Sequence, residues 1–201
     1  MTDLFADKAA DYDARDVPQR LSAAFGARLA EDIALDAGME VLDFGAGTGL
    51  VTGHVVGRVR RVTAVDVSPA MLAKLAAKHG DRADLEILCH DILEAPLERR
   101  FDLIVSAMAM HHVADTDALL AAFAAHLAPG GRVALADLDT EAGTFHPEDT
   151  EGVYHHGFDR DAFAARLAAH GFEDVVIDTA VEVEKEGRPY TIFFATARKP
   201  A

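Results

Sequence analysis

Short apolar runs alternate with longer amphipathic segments along most of the chain. An apolar run of about four to eight residues that ends at a turn residue predicts a buried strand, whereas apolar residues spaced three and four apart predict a helix. Strands are predicted at residues 39–44, 61–67, 85–88, 101–107, 132–138, 175–179 and 190–196. Helices are predicted at residues 21–35, 50–59, 69–79 and 118–127, and from residue 159 or 161 to residue 170.

This alternation predicts an α/β fold, with a doubly wound, mainly parallel sheet and crossover helices on both faces. The run at 101–107 is apolar almost throughout, which indicates a strand buried on both faces. The chain has 201 residues and contains no repeat or flexible linker, so one domain is predicted over residues 1–201. Ligands of such sheets bind beyond the carboxyl ends of the strands.

A glycine-rich loop follows the first predicted strand. Gly45, Gly47 and Gly49 permit positive φ angles and allow a ligand to approach the backbone closely. Their G-x-G-x-G spacing differs from the dinucleotide fingerprint G-x-G-x-x-G. The Asp43 carboxylate before the loop would repel a pyrophosphate, but it favours the ammonium and sulfonium groups of S-adenosylmethionine. The alternative is an ordinary strand–turn–helix connection whose glycines serve packing.

A second acidic position supports an adenosyl ligand. Asp66 ends the second predicted strand, 21 residues after Gly45. A carboxylate at this position can accept hydrogen bonds from both ribose hydroxyls. By itself an acidic residue at a strand end is equally a helix cap, so the signal depends on its combination with the glycine loop.

Five motifs, in this order, resemble those of the class I S-adenosylmethionine-dependent methyltransferase family, small-molecule type. The motifs are VLDFGAGTG at 41–49, VTAVDVSPAMLAKL at 62–75, CHDI at 89–92, FDLIVSAMAMHHV at 101–113 and LAPGGRVALADL at 127–138. The resemblance covers residues 38–138 and continues more loosely to the end. It implies a Rossmann-like, seven-stranded sheet whose last strand is antiparallel, with S-adenosylmethionine as the cofactor.

The resemblance implies a role for each matching position in the first two motifs. Asp43 and Gly45 would hold the methionine end of the cofactor, and Gly47 would lie under its sugar. Asp66 would bind the ribose hydroxyls, and Val67 would pack on the adenine ring.

The later motifs and the amino terminus complete the implied cofactor site. Asp91 would accept a hydrogen bond from the adenine amino group, with Ile92 beside the ring, and Ala107 would offer its backbone. Residues 1–20 resemble the lid of small-molecule members, in which Tyr12 would close over the methionine part. Simple surface packing is the alternative for Tyr12.

The candidates for chemistry are histidines. Methyl transfer depends largely on proximity and orientation, and it needs a base only when the acceptor must lose a proton. His112, after the fourth predicted strand, is the predicted base or acceptor-orienting residue, and a histidine that merely shapes the pocket is the alternative. His111 is expected to turn away and pack. The polar, irregular segment 139–158 is expected to lie over the acceptor pocket.

A metal site is a further hypothesis that the sequence leaves open. Several imidazoles with a nearby carboxylate could bind zinc, iron or nickel. Ligands from distant loops carry no spacing signature, however, so no metal ligand is assigned. The residues concerned are His111, His112, His146, His155 and His156, with Asp137 or Asp139.

Net charge and composition indicate which binding partners and which cell compartment are expected. The net charge of −15 disfavours binding to nucleic acid or an anionic membrane surface. Cys89 is the single cysteine, which excludes an intrachain disulfide and fits a reducing cytoplasm. The polar start does not read as a secretory signal, and no apolar run approaches the roughly 20 residues of a membrane span.

The leading interpretation is therefore a cytoplasmic methyltransferase acting on a small-molecule methyl acceptor, with no nucleic-acid or membrane partner. Two alternatives stay open. One is a non-catalytic S-adenosylmethionine-binding regulatory or interaction protein, whose pocket would be blocked beyond the sulfur. The other is a nicotinamide oxidoreductase, which the loop spacing and Asp43 disfavour. The acceptor atom and the oligomeric state are not predicted.

Overall fold

A seven-stranded sheet forms the centre of the computed structural model, which describes residues 3–148 and 150–201. The strand order is β3-β2-β1-β4-β5-β7-β6, with parallel pairing among β1 to β5. Strand β7 runs antiparallel to both β5 and β6, so the predicted mainly parallel sheet with an antiparallel last strand is confirmed. The strands are β1 Glu40–Phe44, β2 Arg61–Asp66, β3 Leu85–Cys89, β4 Phe101–Ala107, β5 Leu127–Leu138, β6 Glu173–Lys185 and β7 Arg188–Arg198.

Helices cover both faces of the sheet, as predicted. Among the described residues, none of the helices is long and apolar enough to cross a membrane. The helices are α1 Ala6–Ala9, α2 Asp16–Asp32, α3 Thr52–Val55, α4 Pro69–His79, α5 Thr116–His126 and α6 Arg160–Ala169, with 3-10 turns at Tyr12–Ala14 and Met110–His112.

Side-chain caps explain where several helices begin. Ser68 accepts a hydrogen bond from the Met71 amide and precedes Pro69 at the first position of α4, as predicted. Asp115 caps α5 through the Ala118 amide, so this helix begins two residues before its predicted start.

Four element predictions were wrong in extent. Helix α2 begins at Asp16 rather than at residue 21, and β5 begins at Leu127 rather than at residue 132. The helix predicted at 50–59 is limited to Thr52–Val55, because Val56 leaves the helical region and Gly57 takes a φ of +78°. The strand predicted at 175–179 extends over Glu173–Lys185, because it pairs with β7 along nearly its whole length.

Alternate strand residues build two hydrophobic layers. Val41 and Leu103 face the side covered by α2, where Phe25 is buried against them. Their neighbours Leu42 and Ile104 face the opposite side, which is covered by α5 and α6. Strands β1 and β4 therefore lie at the centre, and the strand order reverses between them, which is the position where ligands bind in such sheets.

Candidate cofactor crevice and histidine cluster

The glycine loop has two glycines that packing requires and one that borders open space. A Cβ on Gly45, whose φ is +65°, would collide with the Cβ of Ala109. A Cβ on Gly49 would lie 2.7 Å from Leu75. For Gly47, with a φ of +54°, the nearest heavy atom of the described residues, apart from Gly47 and its two chain neighbours, would be the Gly45 carbonyl oxygen, at 4.0 Å. A ligand can therefore approach the backbone at Gly47.

The Asp66 carboxylate fixes this loop from the end of β2. One carboxylate oxygen accepts a hydrogen bond from the Gly47 amide at 2.8 Å, and the other accepts one from the Ser68 amide at 2.8 Å. Burial raises the pKa of Asp66. Because each carboxylate oxygen has a second lone pair, Asp66 can still accept bonds from hydroxyl groups of a ligand.

Asp43 lies beneath the loop and is only 1% exposed. Its carboxylate accepts a hydrogen bond from the Thr52 hydroxyl at 2.6 Å. Burial raises the pKa of Asp43 to about 7. The direct hold of Asp43 on the methionine end of the cofactor, which the motif implies, stays a prediction.

Exposed apolar side chains form the outer rim of the crevice. Val67, directly after β2, is 55% exposed, and its packing on the adenine ring stays a prediction. Ile92, predicted beside the adenine ring, is instead fully buried in the core. Its neighbour Leu93 is 36% exposed, and the Leu93 amide donates a hydrogen bond to Asp91. Leu93 was not predicted as a site residue, because the alternation of buried and exposed side chains along a strand cannot be followed through a loop.

The amino-terminal segment lies across this crevice. The Asp3 carboxylate accepts a hydrogen bond from the Ser68 hydroxyl at 2.9 Å. Asp13 accepts a bond from the Thr48 hydroxyl in the glycine loop and pairs with Lys78 of α4 at 2.6 Å. The lid over residues 1–20 stays a prediction, and residues 1 and 2 lie outside the described part.

Tyr12 and Phe5 both belong to the amino-terminal segment, but Tyr12 lies near the cofactor crevice and Phe5 lies against the histidines. Tyr12 lies close enough to the Asp66 carboxylate for its charge to act on it, and burial raises the pKa of the Tyr12 hydroxyl. The Phe5 ring contacts the His112 ring edge to face, with 5.0 Å between centroids. The same segment therefore borders both the cofactor crevice and the histidines.

His111 does not turn away from the site as expected. It is fully buried, and its Nδ1 lies 2.6 Å from a carboxylate oxygen of Asp137 on β5. Its Nε2 lies 3.1 Å from Nε2 of His146. Strands β4 and β5 are parallel neighbours, so their carboxyl ends lie side by side. Asp137, near the end of β5, therefore lies next to the turn after β4 that carries His111.

His112 has a different partner. Its Nδ1 donates a hydrogen bond to the Gly152 carbonyl at 2.6 Å. Burial lowers the pKa of His112 to about 4, and the neighbouring His111 adds to this effect. Burial likewise lowers the pKa of His146 to about 3. Both rings are therefore uncharged at neutral pH and retain a nitrogen lone pair.

The segment 139–158, whose position over an acceptor pocket stays a prediction, brings His146 and the Gly152 carbonyl to these histidines. Nitrogen atoms of His111, His112 and His146 lie within 4.8 Å of one another. The remaining candidates have other partners: His155 bonds the Val113 carbonyl, His156 is 63% exposed beside Glu141, and Asp139 pairs with Arg160.

Comparison with known proteins identifies the family. A family model described as a methyltransferase domain matches residues 10–177. An uncharacterized methyltransferase of Geobacillus kaustophilus is 32% identical over 163 residues, which cover 72% of this chain and 74% of that protein. An uncharacterized methyltransferase of Schizosaccharomyces pombe is 34% identical over 136 residues, 60% of this chain. The match spans 48% of that relative, about half its length.

Solved structures of methyltransferases share the fold. A complex of DhpI with SAM and HEP has 26% sequence identity and a TM-score of 0.74, and the match covers 96% of this chain and 94% of DhpI. The predicted family is confirmed, and the nicotinamide oxidoreductase alternative was wrong. With the open glycine loop, the carboxylate at the end of β2 and these matches, the chain belongs to the class I S-adenosylmethionine-dependent methyltransferases.

Proposed function

We propose that this chain transfers a methyl group from S-adenosylmethionine to a small-molecule acceptor bound beside His112. The observation that carries the proposal is the path of the amino-terminal segment. Its Asp3 bonds Ser68 next to the cofactor crevice, and its Phe5 packs on His112. Because the chain's own residues cover both halves of the site, a small acceptor fits better than a polymer.

The residues of the crevice suit the proposed cofactor. The open space above Gly47 accommodates a sugar, and Asp66 retains lone pairs for two hydroxyl groups. Val67 and Leu93 offer apolar surface to a base. Asp43 supplies a negative charge beneath the loop for the cationic methionine end. When bound, the cofactor supplies an electrophilic methyl group on a sulfonium ion.

The chain's own contribution to the chemistry is orientation and exclusion of water. Holding two reactants in line accounts for up to roughly 7–11 kcal/mol of a barrier. The amino-terminal segment shields the site, with Phe5 against His112. His112, held by the Gly152 carbonyl, orients the acceptor or accepts its proton.

The alternative of a non-catalytic binding protein predicts a pocket that is blocked beyond the sulfur of the cofactor. The groups found there are the imidazoles of His112 and His146, both with a ring nitrogen able to bind an acceptor. This polar lining favours catalysis. The absence of nucleic-acid and membrane partners and the cytoplasmic location stay predictions based on charge and composition.

Calorimetric titration tests the cofactor part of the proposal. S-adenosylmethionine and S-adenosylhomocysteine are expected to bind with micromolar affinity, whereas NAD should not bind. Formation of S-adenosylhomocysteine is then followed over a panel of small hydroxyl, amine and thiol compounds. Binding without turnover on any compound would favour the non-catalytic alternative, and failure of both adenosyl compounds to bind would contradict the proposal.

Binding of S-adenosylmethionine is expected to release a proton from Asp43. The pKa of Asp43 is raised to about 7, and a nearby cation stabilises the ionised form. Affinity should therefore rise roughly eightfold from about pH 6 to about pH 7.5, following the ionised fraction. In the free protein, the free energy of unfolding should fall as the pH rises from about 4 through about 7. Over this range the unfolded chain has already lost the Asp43 proton, whereas burial makes ionisation of Asp43 costly in the folded protein.

Calorimetry in buffers of different ionisation enthalpy measures this proton release directly. Asp43→Asn is the control, because its amide oxygen can still accept the Thr52 hydrogen bond. The variant should release no proton and should lose the pH dependence. Equal proton release by the variant and the parent chain would exclude Asp43 as the source.

Gly47→Ala is expected to lower cofactor affinity about tenfold, because its methyl group would occupy space that the ligand needs. Gly130→Ala is a matched control: its φ is +76°, and a Cβ there meets none of the described residues within 4 Å. Both variants carry similar backbone strain, on the order of 1 kcal/mol. Equal cofactor affinities of the two variants in calorimetry would argue against a ligand above Gly47.

A further inference from the structure

We propose that His111, His112 and His146 form a binding site for a divalent transition-metal ion, with Zn²⁺ as the best fit. One ring nitrogen from each lies within 4.8 Å of the others. Nε2 of His111 and Nε2 of His146 are 3.1 Å apart. Two nitrogens bound to one tetrahedral zinc ion at about 2.0–2.1 Å lie roughly 3.4 Å apart, so this pair needs little movement.

Hydrogen bonds at the outer nitrogens fix the rings in the tautomer that a metal requires. Nδ1 of His111 lies 2.6 Å from Asp137, and Nδ1 of His112 lies 2.6 Å from the Gly152 carbonyl. Both partners accept hydrogen bonds, so each Nδ1 carries the proton and each Nε2 carries the lone pair. Metal-binding histidines almost always donate the other ring N–H to a carboxylate or a backbone carbonyl in this way.

One hydrogen bond joins two of the three rings directly. His146 can donate from Nε2 to His111, whose Nε2 is a lone-pair acceptor. That bond does not explain why His112 converges on the same point, with its ring centroid 4.1 Å from that of His111 and 5.5 Å from that of His146. A shared cation would accept a lone pair from all three rings.

The charges around the cluster are mixed. Asp137 is a buried carboxylate in direct contact with His111. Lys8 and Lys185 lie close enough to act on His146, and the Lys185 ammonium group donates to the Phe145 carbonyl. The two lysines weaken the attraction of a cation, and Asp137 compensates for part of that effect. An ion with high affinity for imidazole is therefore required, which favours Zn²⁺ over Mg²⁺ or Ca²⁺.

Three histidine ligands leave one position of a tetrahedral zinc ion open, as in catalytic zinc sites. In this chain the open position would hold an oxygen, nitrogen or sulfur atom of the methyl acceptor and lower its pKa. This role rests on the proposed function, whereas metal binding itself does not.

Metal titration of the full chain, without a polyhistidine tag and stripped of metal, tests the site. Co²⁺ should bind with one ion per chain and produce the visible absorption bands of tetrahedral coordination. Zn²⁺ should displace Co²⁺, and competition with a chromophoric chelator gives its affinity. His146→Ala should lower Zn²⁺ affinity by about 100-fold or more, and Asp137→Asn by roughly 10–100-fold through the orientation of His111.

His156→Ala is the matched control, because His156 lies in the same segment and is exposed beside Glu141. It should bind Zn²⁺ like the parent chain. His146→Gln serves as a second variant that keeps a hydrogen-bonding group, and circular dichroism checks folding of each variant. Equal loss in the His146 and His156 variants, or no binding by the folded parent chain, would overturn the metal site.

Calorimetry with S-adenosylmethionine on the same samples separates this inference from the proposed function. Cofactor binding without metal binding would overturn the metal site and leave the methyltransferase proposal intact. Metal binding with no cofactor binding would support the site and contradict the proposed function.

Discussion

Asp66→Ala is expected to reduce the affinity for S-adenosylmethionine by about 1000-fold, since two hydrogen bonds to a charged group are worth about 1.5–3 kcal/mol each. The carboxylate of Asp66 also holds the Gly47 amide, so the variant loses both the ligand contacts and the loop geometry. Calorimetry measures the affinity, with S-adenosylhomocysteine as a second ligand that lacks the methyl group. Both ligands should lose affinity equally, because the ribose is common to them.

A loss of folding stability would also lower the apparent cofactor affinity, because Asp66 also accepts a hydrogen bond from the Ser68 amide before α4. Asp115→Ala is the control, since Asp115 caps α5 in a comparable way outside the crevice. Loss of such a cap costs about 1 kcal/mol of stability. If Asp66→Ala melts like Asp115→Ala but binds the cofactor normally, Asp66 has no role in ribose binding.

Local signals in the sequence were sufficient for most of the fold. Strand β4 was predicted at its observed bounds, because its run of apolar residues is set off by polar residues on the amino-terminal side. The start of α4 followed from Ser68 and Pro69, which act within one turn. Helix α3 was predicted too long because propensity over 50–59 favours a helix, whereas Gly57 takes a conformation that ends it. The prediction of one domain stays a prediction.

The candidate site was predictable only where a motif is contiguous. Gly47 and Asp66 meet because β1 and β2 are adjacent parallel strands, and both positions were identified. The convergence of His111 with His146 was only an open hypothesis from the sequence, because the two residues are 35 positions apart with no periodicity between them. The contact of His111 with Asp137 depends on the pairing of β4 with β5, which no local pattern encodes.

His112→Ala is expected to lower kcat by about 100-fold, the lower end of what a positioned proton acceptor contributes. The affinity for S-adenosylmethionine should stay nearly unchanged, because His112 contacts Phe5 and the Gly152 carbonyl. Steady-state kinetics with an acceptor from the screen gives kcat, and calorimetry gives the cofactor affinity. His156→Ala is the control and should retain full turnover, since its ring is largely exposed. Turnover of His112→Ala equal to that of the parent chain would remove His112 from the mechanism.

The kinetics of a second variant separate the two ways in which His112 can act. If His112 accepts a proton from the acceptor directly, its loss should lower kcat far more than His146→Ala does. If His112 acts as a metal ligand, both variants should lower kcat to a similar extent, and added Zn²⁺ should restore part of the turnover through the remaining two ligands. A base acting alone gains nothing from added metal, so the response to Zn²⁺ decides which chemistry the three rings perform.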